Sequence, residues 1–179
     1  TIRRLNPAAM IALVAGPVAL DVLRAHLDDV HTGQDRVAAV FGRAVPAVVI
    51  VPATADEAAH LLGSSAPPGG QIAATTHGAR DPRAPALADR VVLDPTGLAR
   101  LTPAGRRVVL THELTHVSVR ASTLHDLPLW LSEGFAEWVA FRDEGMDPRV
   151  VAAALLDRVR AAGPPARLPA DADFAGTTG

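Results

Sequence analysis

Apolar positions along the chain change period several times, and each change marks an element. Leu20, Leu23, Leu27, Val30, Val37 and Val40 recur at largely helical spacing, predicting one long helix from 20 to 41, or two broken at Gly33. His26 and His31 fall between those positions and read as surface residues. Val45 to Val51 is β-branched and ends at Pro52, the pattern of a buried strand, and a short helix follows from Ala55 to Leu62. Ser64 to Gly70 is a loop by composition. Gln71 to Thr76 and Arg90 to Leu93 read as two further strands, with His77 at the end of the first read as a loop histidine.

The second half is helical in period. Thr102 is a suitable N-cap and Pro103 is preorganised for a first helical position. Leu110, Leu114, Val117 and Ala121 then form a core stripe, leaving His112 and His116 on a neighbouring face. The connection from Ser122 to Leu127 is short, so the next helix returns alongside. Pro128 fits its first turn, Leu131, Phe135, Trp138 and Val139 supply its apolar face, and Glu133 and Glu137 share the other. Gly134 costs that helix roughly 1 kcal/mol relative to Ala, but lacks a side chain that would hold the two helices apart. Asp147-Pro148 restarts a helix with Val151, Leu155, Leu156 and Val159, and the tail from 166 to 179 has no period and reads as loop or disorder.

The chemistry is concentrated in these two adjacent helices. His112-Glu113-Leu114-Thr115-His116 places two histidines about 40° apart in azimuth on one helix, where they can share a metal ion. A catalytic zinc takes three protein ligands and keeps a fourth position for water, and Trp130-Leu131-Ser132-Glu133-Gly134-Phe135-Ala136-Glu137-Trp138 supplies the missing carboxylate. Glu113 lies one residue round from His112, where a base can take a proton from water without being a ligand.

Together these stretches resemble the gluzincin metallopeptidases, most strongly small bacterial peptidase-MA-type domains, over roughly a third of the chain from Arg90 to Phe141. The resemblance implies a zincin-like α+β fold with a small mixed sheet, a long N-terminal helix, an active-site helix and a following glutamate helix. It implies zinc bound by His112, His116 and Glu133, with Glu113 as general base in peptide hydrolysis. Glu137 then corresponds to a carboxylate that accepts a hydrogen bond from the first histidine. The strand just before the active-site helix, Arg90 to Asp94, is expected at the sheet edge, pairing with substrate backbone. A metzincin would need Gly at 119 and His at 122, where this chain has Val119 and Ser122. The family's oxyanion donor is usually Tyr or His, and with no Tyr in the chain His125 is the first candidate, ahead of Arg120 and Arg142, the alternative being a donor in a C-terminal region outside this chain. The competing function is a binding or scaffold module of the same fold that holds zinc without turnover. An intact Glu113 argues against it, and the missing Tyr for it.

Composition narrows the setting. A length of 179 residues suits a single domain spanning the chain. A net charge of −2 with interspersed signs leaves no nucleic-acid footprint, and the resemblance implies a peptide or protein substrate as the partner. No cysteine is present, so a metal must be held by His and carboxylate. The first residue is Thr, read as a processed chain or a fragment of a longer protein. All the basic residues are Arg, which with abundant Ala, Gly and Pro points to a GC-rich bacterial coding sequence. Arg3 and Arg4 precede an apolar run from Pro7 to Leu20. As a signal-peptide or anchor remnant this run leans towards the bacterial envelope or secretion, with a cytoplasmic site the alternative. The run is short of the roughly 20 residues of a membrane span and is broken by Gly16-Pro17, so the preferred reading is a buried strand over Met10 to Ala15 and no membrane segment.

Overall fold

A computed structural model describes residues 2–4, 11–16, 20–44, 46–62, 74–77, 90–123 and 127–174. It shows a mixed α+β architecture in which helices cover a five-stranded sheet. Strands β1 (Ile2–Arg4), β2 (Ile11–Ala15), β3 (Ala47–Val51), β4 (Ala74–His77) and β5 (Arg90–Leu93) lie in the order β1-β2-β3-β5-β4. β2, β3 and β5 run parallel, and β1 and β4 close the two sides antiparallel. β3 starts after Pro46, which has no N–H to give the ladder, rather than at Val45, which lies outside the described residues.

The strand expected at the edge is therefore interior. β5 pairs with β3 through Val49↔Val91 and with β4 through Thr76↔Val91, so both its sides are occupied. Among the described residues the edge belongs to β4, which the chain reaches earlier. In register, Val49, Val91 and Thr76 share one face of the sheet, and two residues along each strand Val51, Leu93 and Ala74 continue it.

Helices α1 (Leu20–Ala25) and α5 (Pro103–Ser122) pack on the sheet, and α2 (Leu27–Phe41) and α6 (Leu129–Phe141) pack on α5. Val30 and Val37 of α2, Leu110, Leu114 and Val117 of α5 and Val139 of α6 join the strand residues in one core. The break in the first helical stretch falls at His26 and not at Gly33. Gly33 stays helical because α2 crosses α5 there: a methyl on it would stand 3.2 Å from both the Thr111 nitrogen and Leu114 Cδ1. His26, at the break, is not the surface residue expected, since its side chain is only 14% exposed beside Asp29.

Two charged clamps fasten the helices. Arg106 Nε of α5 donates to Asp29 Oδ2 of α2 at 2.8 Å. Arg36 of α2 and Arg107 of α5 both donate to Glu144, just beyond α6, whose side chain is 3% exposed.

The remaining helices are α3 (Ala55–Leu61), α4 (Pro95–Ala99), α7 (Pro148–Val151) and α8 (Ala153–Ala162). Arg90 donates from its guanidinium to the Leu61 carbonyl, tying the end of α3 to β5. The expected helix after Asp147 is divided at Ala152, and neither half buries a residue. Within the tail, 171–174 form a 3-10 turn, and Asp171 Oδ1 accepts from the Leu129 amide at 2.9 Å, capping α6 where Pro128 offers no side-chain cap. No helix among the described residues is long and apolar enough to cross a membrane.

Candidate metal centre

α5 begins as its sequence dictates: Thr102 accepts from the Gly105 amide at 3.1 Å and Pro103 occupies the first turn. The buried stripe then faces α2 and the sheet, which turns His112 and His116 towards α6. Their Nε2 atoms stand 2.9 Å apart, with ring planes at 78°.

α6 lies close because the side it presents is built from small residues, Ala136 and Ala140, around Val139, all at 0% exposure. Leu131 and Trp138, expected on that face, are outside it at 39% and 54% exposed. Trp138 stacks on Phe135 and carries the Arg142 guanidinium 5.0 Å above its ring. Gly134 is likewise exposed with nothing within 4 Å of a built methyl, so it does not bring the helices together.

Glu133 completes a triangle with the histidines. Its Oε2 lies 3.2 Å from His112 Nε2 and 3.4 Å from His116 Nε2. Ligand bonds of about 2.0–2.1 Å at tetrahedral angles set donor atoms roughly 3.3 Å apart, so edges of that size fit a zinc-sized cation. Among the described residues this is the one cluster of three His or carboxylate groups so arranged.

The outer nitrogens of both rings also face α6. Ser132 Oγ lies 3.3 Å from His116 Nδ1, and Glu137 Oε1 lies 3.7 Å from His112 Nδ1. An acceptor at Nδ1 favours the tautomer that leaves the Nε2 lone pair for a cation. Ser132 to Glu137, about one and a half turns of α6, thus carry the Glu133 carboxylate and a partner for each ring. Ser132 was not singled out from the sequence, although its place beside Glu133 on the returning helix is the signal that could have found it.

Glu113 is held from β4. Thr76 Oγ1 lies 2.7 Å from Glu113 Oε2 and 2.9 Å from the Glu113 carbonyl oxygen. Thr76 was also missed, because nothing local links it to a residue 37 positions on.

Charge follows this geometry. Hydrogen bonds from His112 and His116 hold the Glu133 carboxyl down at about 2, against the opposing effect of burial. Burial alone would lower the His112 imidazole, but its bond to Glu133 and the nearby Glu113 and Glu137 carboxylates raise it overall. Burial raises the Glu113 carboxyl, and the Thr76 bond and the two imidazoles only partly offset it.

Of the candidate oxyanion donors, His125 lies outside the described residues. Arg142 is engaged with Trp138 and Asp143, and Arg120 is partly buried in the last turn of α5. No family model, curated protein or solved structure matches the chain.

Proposed function

We propose that this protein is a zinc-dependent peptide hydrolase with a zincin-like fold, of the gluzincin kind its two motifs resemble. The observation that carries the reading is the His112–His116–Glu133 triangle with a second carboxylate, Glu113, beside it and bonded to Thr76. A structural site has no use for that extra buried carboxylate. A zinc ion held by the three ligands would acidify a water molecule and polarise the scissile carbonyl.

The protein's own groups do the rest. Glu113 accepts the proton of the attacking water and passes it to the departing amine as the carbon–nitrogen bond breaks. Glu133 stays ionised across the working pH range, and Ser132 and Glu137 fix the imidazoles from behind. β4 pairs with β5 on one side only among the described residues, and its other side offers backbone groups to an extended peptide.

The test combines metal analysis with turnover. About one zinc per chain is expected, with large losses in His112→Ala and His116→Ala. Glu113→Gln is expected to keep the zinc and lose cleavage of a mixed peptide library. Wild-type turnover in Glu113→Gln would remove Glu113 as the base. Bound zinc without cleavage by the wild-type protein would favour the scaffold reading instead.

A further inference from the structure

The base of a metal-assisted hydrolysis has to present one carboxylate oxygen to the water in a narrow range of directions. Glu113 has two oxygens on a flexible stem, and α5 by itself fixes only its Cα. The atom that restrains the carboxylate comes from another element. β4 is antiparallel to β5, and the Thr76↔Val91 register turns Thr76 to the same face as Val91, beneath α5. From there its hydroxyl reaches Glu113 Oε2 at 2.7 Å and the Glu113 carbonyl at 2.9 Å.

A hydroxyl has one proton to donate, and two acceptors compete for it. The carboxylate is closer and, when ionised, is the stronger acceptor. The bond therefore goes to Oε2, and Thr76 leaves the other carboxylate oxygen unengaged. Thr is suited to the task because its β-branch restricts χ1 on a strand, so the hydroxyl is held in one direction.

We propose that Thr76 is a positioning residue for the general base, holding Glu113 Oε2 so that its other oxygen faces the reacting water. The proposal rests on the hydrolase reading for its consequence in turnover, but not for the contact itself. It also ties the base to the edge strand, so the element offered to the peptide backbone is the one that aims the proton acceptor.

The experiment uses Thr76→Val, which keeps the shape and removes the hydroxyl, and Thr76→Ser, which restores it. In the zinc-loaded protein Thr76→Val is expected to lower kcat about 10- to 100-fold with KM and zinc content unchanged, as misplacement of a reacting group does. Thr76→Ser should recover most of the loss. A second readout does not need activity. With carbon-13 in the glutamate carboxyls the zinc-free protein gives five side-chain resonances, from Glu57, Glu113, Glu133, Glu137 and Glu144, and Glu113→Gln identifies the one of interest. That resonance should move in Thr76→Val more than the other four and return in Thr76→Ser. An unmoved Glu113 resonance, an unchanged kcat, a change confined to KM, or failure of Ser to restore would each overturn the proposal. If the wild-type protein cleaves nothing while the resonance moves and returns as expected, the hydrolase reading falls and the Thr76–Glu113 placement stands.

Discussion

His112 and His116 present their Nε2 atoms to each other across 2.9 Å, and Glu133 Oε2 sits over both. Without a cation the cluster is held by protons. His112 has its folded pKa raised above 6.5, so its contribution to stability is fully present below about 6.5 and is lost as pH rises through the raised value. Glu133, depressed from 4.5 to about 2, contributes above about 4.5 and loses that contribution as pH falls through about 2. Zinc bound as proposed would compete with the His112 proton, so its binding should strengthen as pH rises. The melting-temperature difference between zinc-loaded and chelator-treated protein should therefore widen from about pH 6 to about pH 8. A difference that is constant or narrows over that interval would contradict the ligand role of His112.

The two glutamates of α6 are separated by geometry. Glu133 reaches both Nε2 atoms, whereas Glu137 approaches only His112 Nδ1, at 3.7 Å and with its side chain 56% exposed. Zinc affinity should fall furthest in Glu133→Ala. Glu137→Ala and Ser132→Ala should each lose about 10-fold, the low end for groups that orient a ligand. Competition with a zinc-chelating dye measures all three, and a larger loss in Glu137→Ala than in Glu133→Ala would shift the ligand by one helical turn.

What could be read from the sequence was what short spacing fixes. The cap at Thr102, the stripe from Leu110 to Val117 and the facing histidines depend on positions within a few turns of one helix. The coarse α+β class came with the resemblance, and the strands and helices of the fold agree with it. Tertiary approach was less legible. The large apolar residues Leu131 and Trp138 drew the predicted buried face of α6 to themselves, but α6 must lie close to α5 and does so through Ala136 and Ala140. A hydrophobicity pattern weighs such small residues lightly although they set the distance. The sheet edge was misassigned because strand order is not sequence order here, the interior β5 following the edge β4 along the chain.

Gly33 and Gly134 are both helical and should respond oppositely to the same change. At Gly33 a methyl would meet the Thr111 nitrogen and Leu114 Cδ1 at 3.2 Å, and a backbone atom cannot give way as a flexible side chain does. Overpacking of about 1–3 kcal/mol outweighs a propensity gain of about 1 kcal/mol, so Gly33→Ala should be net destabilising. At Gly134 the same methyl meets nothing within 4 Å. Gly134→Ala should stabilise by about 0.4–1 kcal/mol with zinc content unchanged. Urea titration of the two variants checks both signs. Loss of stability in Gly134→Ala would show that the helix is constrained there by something other than the packing described.

Glu144 makes the last case, because its work is structural and lies off the metal cluster. It follows α6 in a short turn and accepts from Arg36 Nη1 of α2 at 2.7 Å and from Arg107 Nε and Nη2 of α5, each at 3.0 Å. Burial would raise its carboxyl, but the Arg107 and Arg36 bonds overcome this and hold it below the ordinary value of 4.5. Glu144→Gln keeps the size and removes the charge, and hydrogen bonds to charged groups are worth about 1.5–3 kcal/mol, so a loss near 2 kcal/mol is expected at neutral pH. The lowered pKa fixes where that loss disappears. The carboxylate's contribution is present above about 4.5 and is lost as pH falls through the lowered folded value, where the wild-type side chain is itself protonated. The stability gap between wild type and Glu144→Gln, read as the shift in urea midpoint with unchanged slope, should be widest at neutral pH and shrink below about pH 4.5. A gap that stays constant through acid would mean that Glu144 holds the three helices by its shape and not by its charge.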